Sequence, residues 1–470
     1  MNVITQFKSV FLSHLRFTPT TDQQHLLNLL SEFVATNNEQ EILVIKGYAG
    51  TGKTNMLAAL SKTLPVFKWK SVLLAPTGRA AKVLSLYSEK VAQTIHKKIF
   101  IKIPTHDGGV MFSLAENKHT NTIFIVDEAS MIGLDQSTGD SVYGNLLESL
   151  LEYVYAGVNC KLILVGDTAQ LPPVGSNESP ALSIEFLKTA YRFQVKHTEL
   201  KQVARQQDAS GILLNATHLR NCISHFNQDF PKLTLFKDVV KLAGDELEDA
   251  LNNAYSKYGY DDVLIVTRSN KRANLFNQAV RNRVRYMDDD LCSGDLMMVV
   301  KNNYFWLEDS SEIGFIANGD SLKIKKIITR KELYGFHFAE CVVELSDYQN
   351  SPELTVNLLL DSIYTEAPSL TKAQQQQLFE EVMADVADEP VKGKRMAYLK
   401  SSPFYNALQV KFNYAVTCHK AQGGQWSCVF IDQGYLTKEM LNVEYIRWLY
   451  TALTRATEKV YLINFSDDFF

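Results

Sequence analysis

An α/β fold built on parallel sheets is expected for this chain on three grounds. Short apolar runs recur through its first two hundred residues, among them Ile42-Leu43-Val44-Ile45, Ser71-Val72-Leu73-Leu74-Ala75, Thr122-Ile123-Phe124-Ile125-Val126 and Lys161-Leu162-Ile163-Leu164-Val165. Continuous apolar runs of this length are the mark of strands buried on both faces. Each run gives way to a polar or Gly-rich loop, and helical spacing follows the first two of those loops, the alternation that builds a parallel sheet with crossover helices. At 470 residues the chain also exceeds a single core and suggests roughly three units of about 150 residues.

Composition excludes several classes. With 46% hydrophobic and 21% charged residues the chain reads as globular. Its 48 Lys plus Arg against 52 Asp plus Glu give a net charge of −4, so no global basic field exists and any nucleic-acid site must be a local groove. Six cysteines are scattered without a C-x-x-C pair, which argues against a zinc site or disulfide framework and fits a reducing, cytoplasmic setting. No apolar run approaches the ~18 residues of a membrane span. Val3, Phe7, Val10, Phe11 and Leu15 fall at helical spacing, and His14 and Arg16 stand where a signal peptide would place its cleavage site, so a packing helix is expected.

In chain order, Thr20-Thr21-Asp22-Gln23-Gln24 is a helix start. Gln23 there suits either the paired donor and acceptor of an adenine edge or an ordinary capped helix. Gly47-Tyr48-Ala49-Gly50-Thr51-Gly52-Lys53-Thr54 then joins a buried strand to a helix. This spacing makes a phosphate-binding loop: Gly50 and Gly52 let successive N–H groups turn inward, Lys53 reaches the β- and γ-phosphates, and Thr54 offers a hydroxyl to Mg²⁺. Pro76-Thr77-Gly78-Arg79, with Lys82 beyond, follows the next strand and puts a hydroxyl and two cations at a sheet edge where α/β folds bind ligands. A routine βα loop with a solvated basic face would read the same way, and Gln93-Thr94-Ile95-His96 is equally ambiguous. Residues 97–121 hold a hairpin signal around Asp107-Gly108-Gly109. Asp127-Glu128 ends the following apolar strand, and adjacent carboxylates there need partners, of which Mg²⁺ and a water are the sensible ones. Gly166-Asp167-Thr168-Ala169-Gln170 ends the next strand and places Gln170 toward a γ-phosphate.

These strand-ligand junctions predict a RecA-like sheet over residues 1–190. A second RecA-like unit is expected over 195–320 and 405–470, from Val263-Leu264-Ile265-Val266, Val429-Phe430-Ile431 and Val460-Tyr461-Leu462-Ile463. Alternating segments such as Leu322-Lys323-Ile324-Lys325 predict a β-rich, SH3-like insertion over 321–404. The glutamines at 374–377 read as a solvated helix face.

With these motifs in hand, the chain resembles the superfamily 1 DNA helicases of the RecD and Dda type, which move 5′ to 3′. The likeness covers nearly the whole chain and rests on GYAGTGKT, APTGRAA, Asp127-Glu128, GDTAQLPPVG, VTCHKAQGGQW (416–426) and YTALTRA (450–456). APTGRAA with GDTAQLPP favours this branch over the UvrD-like one. The resemblance implies that Gln23 reads adenine, that Gly47 to Thr54 with Asp127, Glu128 and Gly423 hold Mg·ATP, and that Gln170 senses the γ-phosphate. Arg205 and Arg455 would be arginine fingers, and Pro76, Thr77, Arg79, Thr94, His96, Thr417 and His419 would contact single-stranded DNA. The family also places a strand-separating pin in the hairpin, here Phe112, with Phe100 as the alternative, unless Phe112 simply packs the hairpin onto the first domain. Where relatives often carry Gly-Ser-Glu, this chain has Gly423-Gly424-Gln425, so a carboxylate contact to the ribose is absent from the motif. The chain lacks the long N-terminal region of larger relatives, which implies a compact, monomer-scale enzyme acting on single strands and duplex forks. A nucleotide-gated clamp or recombination mediator, or an RNA helicase of the same superfamily, are the competing functions.

Overall fold

The computed structural model describes residues 3–36, 40–104, 110–134, 145–203, 210–307, 315–348 and 352–470, with the backbone alone for 102–104 and 110–112. Strands β1 (Glu41–Gly47), β2 (Lys70–Ala75) and β3 (Ala92–Thr94) are followed by the pair β4 (Phe100–Pro104) and β5 (Val110–Leu114). After them come β6 (Thr120–Val126), β7 (Val158–Gly166) and β8 (Gln194–Leu200). All but β4 and β5 join in one parallel sheet ordered β3-β2-β6-β7-β1-β8. Side chains alternate across β1, so Ile42 and Val44 pack with Phe124, Val126 and Leu147, while Leu43 and Ile45 pack on the other face with Leu26, Leu57, Phe7 and Phe11. The N-terminal helix Val3–Ser13 thus contributes the fully buried Phe7 and Phe11 to the core.

The first sheet extends past the expected boundary at 190, because β8 lies parallel to β1 in register from Glu41 opposite Gln194 to Gly47 opposite Leu200. An edge strand mixes polar and apolar residues, and β8 (Gln-Val-Lys-His-Thr-Glu-Leu) carries no continuous apolar signal that would mark it as sheet.

The second sheet is formed by β9 (Val239–Leu242), β10 (Val263–Thr267), β16 (Ala415–Thr417), β17 (Trp426–Asp432) and β18 (Ala456–Ile463), five parallel strands in the order β16-β10-β17-β18-β9. Between β10 and β16 the chain leaves the sheet to close a barrel from β11 (Leu296–Val299), β12 (Ser321–Leu333), β13 (Phe336–Leu345), β14 (Leu354–Leu359) and β15 (Leu408–Phe412). The barrel is therefore wider in sequence than 321–404, taking β11 and β15 from stretches assigned to the second sheet. Its interior residues Met297, Val343, Val356 and Val410 share one apolar core with Ile265 and Phe430 of that sheet, so no change of composition marks the boundary. Helices Lys372–Ala384 and Lys392–Ser401 pack on the far end of the barrel through Leu378, Val382 and Leu399, against Phe336 and Phe338. In the first of them Gln376 and Gln377 are exposed, whereas Gln374 completes its capping box and Gln375 bonds the Leu370 carbonyl.

Candidate active site and strand groove

The loop Gly47–Gly52 turns from β1 into the helix Lys53–Thr63. Gly50 and Gly52 have φ of +77° and +80°, left-handed values that cost an L-residue about 1–2 kcal/mol. A Cβ on Gly50 would also stand 2.8 Å from Leu213 of the helix Gly211–Ser224. Lys53 Nζ donates to the Gly47 and Tyr48 carbonyls at 2.6 and 3.0 Å. Gln23, fully buried, donates to the Thr51 carbonyl at 2.9 Å and accepts the Thr20 N–H at 3.0 Å. Its amide braces the loop and caps its own helix, so an adenine contact would share an amide already bonded twice.

Asp127 and Glu128 stand at the end of β6, on the same cleft as Lys53, Thr54 and Gln170. Glu128 holds φ +52°, a costly conformation for a residue with a side chain. Its Oε2 and the Oε1 of Gln170 are buried acceptors with no hydrogen-bond partner among the described residues, each a cost of about 1–3 kcal/mol when unsatisfied. Desolvation in the cleft, with Glu128 beside it, pushes Asp127 up to about 6, and Lys53 opposes the shift. Two unpartnered acceptors, a carboxylate and a hydroxyl in one phosphate-loop cleft fit a magnesium nucleotide, since hard oxygens are what Mg²⁺ takes. The residues therefore suit the cofactor they were expected to hold.

Arg455 borders the opposite side of the cleft and is 4% exposed. Its guanidinium donates to the Thr451 and Gly424 carbonyls and to the Thr454 hydroxyl, and no carboxylate among the described residues pairs with it. Arg205 lies outside the described residues. Gly423 packs away from the cleft at φ +75°, where a Cβ would meet Ala80 at 2.8 Å. Gln425 is the residue of that turn that borders the cleft.

A second groove gathers Pro76, Thr77, Arg79, Thr94 and His96 from the first sheet domain with His419, Lys420 and Gln422 from the second and Asn318-Gly319 beside the barrel. Thr77 and Thr94 accept the Ala80 and Lys97 N–H groups at 3.2 Å each, and each hydroxyl keeps its own proton to donate. The N-terminus of the helix Gly78–Ser88 opens beside the groove, a favourable seat for a phosphate. Desolvation pushes His96 down to about 4 and lowers His419 as well, so both imidazoles are neutral at pH 7. Arg79 borders the groove, but its guanidinium is engaged elsewhere, with Asp347 at 3.4 Å, with the Ser321 hydroxyl and over the Trp426 ring at 4.6 Å. Thr417 stands at the start of the short helix Cys418–Ala421 that presents His419 and Lys420, but its side chain makes no cap there and it is not among the residues that line the groove. Lys420 and Asn318, which bond each other, were missed by motif reading, although Lys420 lies inside VTCHKAQGGQW.

Two family models match the chain: an AAA domain over residues 29–222 and a UvrD-like helicase C-terminal domain over residues 412–463. The chain is 23% identical over 520 residues to the uncharacterized protein R530 of Acanthamoeba polyphaga mimivirus, covering 94% of this chain and 98% of that one. It is 27% identical over 288 residues to the ATP-dependent DNA helicase dda of Enterobacteria phage T4, spanning 60% of each. A crystal structure of the Pif1 helicase from Bacteroides in complex with ADP-AlF3 and ssDNA aligns over 96% of this chain and 94% of its own, at 14% identity and a TM-score of 0.47.

Proposed function

Because the chain belongs to the superfamily 1 DNA helicases of the RecD and Dda type, we propose that it hydrolyses ATP to move 5′ to 3′ along single-stranded DNA and to open duplex at forks. The observation that carries this reading is that the cleft and the groove are both shared between the same two sheet domains, so a change at one must be felt at the other. Bound Mg·ATP supplies a transferable phosphoryl group whose loss removes the charge that draws the two domains together.

In this reading the loop amides and Lys53 would hold the phosphates, Thr54 and Asp127 would hold Mg²⁺, and Glu128 would take the proton of the attacking water. Gln170 orients that water. Arg455 reaches from the second domain to stabilise the charge that develops in the transition state. In the groove, Thr77, Thr94 and the helix N-terminus beside them grip the strand from one domain, and His419 and Lys420 grip it from the other. Alternate loosening of the two grips converts cleft closure into a step. Both walls of the cleft come from one chain, which supports a monomer as the working unit.

Strand displacement with 5′-tailed and 3′-tailed duplexes of DNA and RNA tests the proposal. Unwinding of DNA from a 5′ tail is expected. Efficient opening from a 3′ tail alone would overturn the polarity, preference for RNA the substrate, and nucleotide-dependent binding without displacement would favour a clamp.

A further inference from the structure

The helix Val443–Leu453 belongs to the second sheet domain and leads directly to Arg455. One side of it meets the first domain through hydroxyls. Tyr450, 1% exposed, donates to Asp167 Oδ2 at 2.7 Å and accepts the Ala49 N–H of the phosphate loop at 2.9 Å. Thr451, wholly buried, accepts the Leu171 N–H at 2.9 Å, while its own backbone carbonyl receives the Arg455 guanidinium at 3.1 Å. The Leu171 carbonyl is taken by Gln422 Nε2 at 2.8 Å, from the turn that carries His419 and Lys420. Gln170 therefore sits on a backbone segment whose ends, Asp167 and Leu171, are both fixed by the second domain. The phosphate loop has one amide fixed from there too.

Resting on the motor reading above, we propose that Tyr450 and Thr451 are positioning residues for ATP hydrolysis, whose hydroxyls set the phosphate loop and the Asp167–Leu171 segment so that Gln170 and Arg455 meet the γ-phosphate together. Neither side chain borders the cleft, so they act through the loops they hold. Burial, with Asp167 beside it, pushes the Tyr450 phenol well above its ordinary value, so the hydroxyl keeps its proton to donate. Coupling follows from the same geometry. The helix cannot move relative to the first domain without releasing Ala49, Asp167 and Leu171, so the second domain's position is transmitted to the phosphate site by hydrogen bonds rather than by loose packing.

The test uses Tyr450→Phe and Thr451→Val, each removing a hydroxyl and little volume, with Thr451→Ser retaining one. Steady-state ATP hydrolysis is measured with saturating single-stranded DNA, alongside thermal unfolding. We expect kcat to fall at least tenfold in Tyr450→Phe and Thr451→Val with KM for ATP within threefold of wild type, and Thr451→Ser to keep kcat within twofold. Folded variants with wild-type kcat and only a lowered midpoint would overturn the proposal and leave the hydroxyls as packing. Should Tyr450→Phe fail to fold, the contrast between Val and Ser at position 451 decides alone. A wild-type chain without DNA-stimulated turnover would instead overturn the motor reading, so the two failures are distinguishable.

Discussion

Lys420 and His96 line the same groove with opposite electrostatic consequences. Desolvation pushes the Lys420 ammonium down to about 8, which leaves it mostly charged at pH 7, whereas His96, pushed down to about 4, is neutral there. A bound cation releases counterions from a strand, about 0.7 per phosphate for single strands, and a neutral imidazole releases none. Lys420→Ala should therefore flatten the slope of log K against log salt by about 0.7, and His96→Gln should weaken binding without changing the slope. Wild-type affinity should also fall as pH rises through about 8, a decline absent from Lys420→Ala. Fluorescence anisotropy with a short single strand over a salt and pH series checks both, and an unchanged slope in Lys420→Ala would remove the lysine from the strand contact. At this scale the gathering of Lys53, Thr54 and Asp127 in one cleft was legible, because a phosphate-loop motif and paired carboxylates at strand ends of a parallel sheet allow few other placements. Tyr450 and Thr451 lie inside YTALTRA, yet their part was not legible, since a hydroxyl that acts through a neighbour's backbone carries no chemical signature of its own.

The paired strands β4 and β5 show how far an element can be read. Their register runs from Phe100 opposite Leu114 to Pro104 opposite Val110, with Phe112 opposite Lys102, so the hairpin expected between His96 and the Asp127 strand is present as paired backbone. Its turn at 107–109 and the Phe112 side chain lie outside the described residues. Phe100 stands at the root, its ring 5.9 Å from His96 and packed on the first domain's core, which leaves Phe112 as the aromatic nearer the tip. Stacking on a base contributes about 1–3 kcal/mol, enough to offset the mean of about 1.4 kcal/mol for a DNA step. Phe112→Ala should keep DNA-stimulated ATP hydrolysis within twofold while losing most strand displacement. Parallel loss of both, or of thermal stability, would make the ring a packing residue. Strands buried on both faces, such as β1, β6 and β17, were legible because their apolar runs are unbroken. Strands β8, β11 and β15 were not read as they fold, because β8 is an edge and the other two lie in a core continuous with the second sheet.

Across the whole molecule, the three parts meet at one buried carboxyl. Arg79 of the first domain reaches Asp347 and Ser321 of the barrel and lies over Trp426 of the second sheet, and Gly78 beside it leaves room for Asp320, whose Oδ1 would stand 2.5 Å from a Cβ there. Asp320 is 1% exposed and accepts both the Ala317 N–H and the Tyr348 hydroxyl on its Oδ2. Burial, with Asp347 nearby, pushes it from 3.8 up to about 7. Between those values the folded state binds more protons than the unfolded chain, so this group's contribution to stability falls as pH rises from about 4 to about 7 and is level above that. His96 acts in the opposite sense: its lowered pKa makes the fold more stable as pH rises from about 4 to about 6.5. The measurement must therefore be a difference. Asp320→Asn keeps a carbonyl oxygen for both hydrogen bonds but cannot ionise, so it should gain stability relative to wild type steadily between pH 5 and 7.5 and no further above. Chemical denaturation at several pH values reads this directly. Wild-type and Asp320→Asn curves that stay parallel across the window would show that the carboxyl titrates normally, and that the junction between the two sheets and the barrel is not tightened by mild acid.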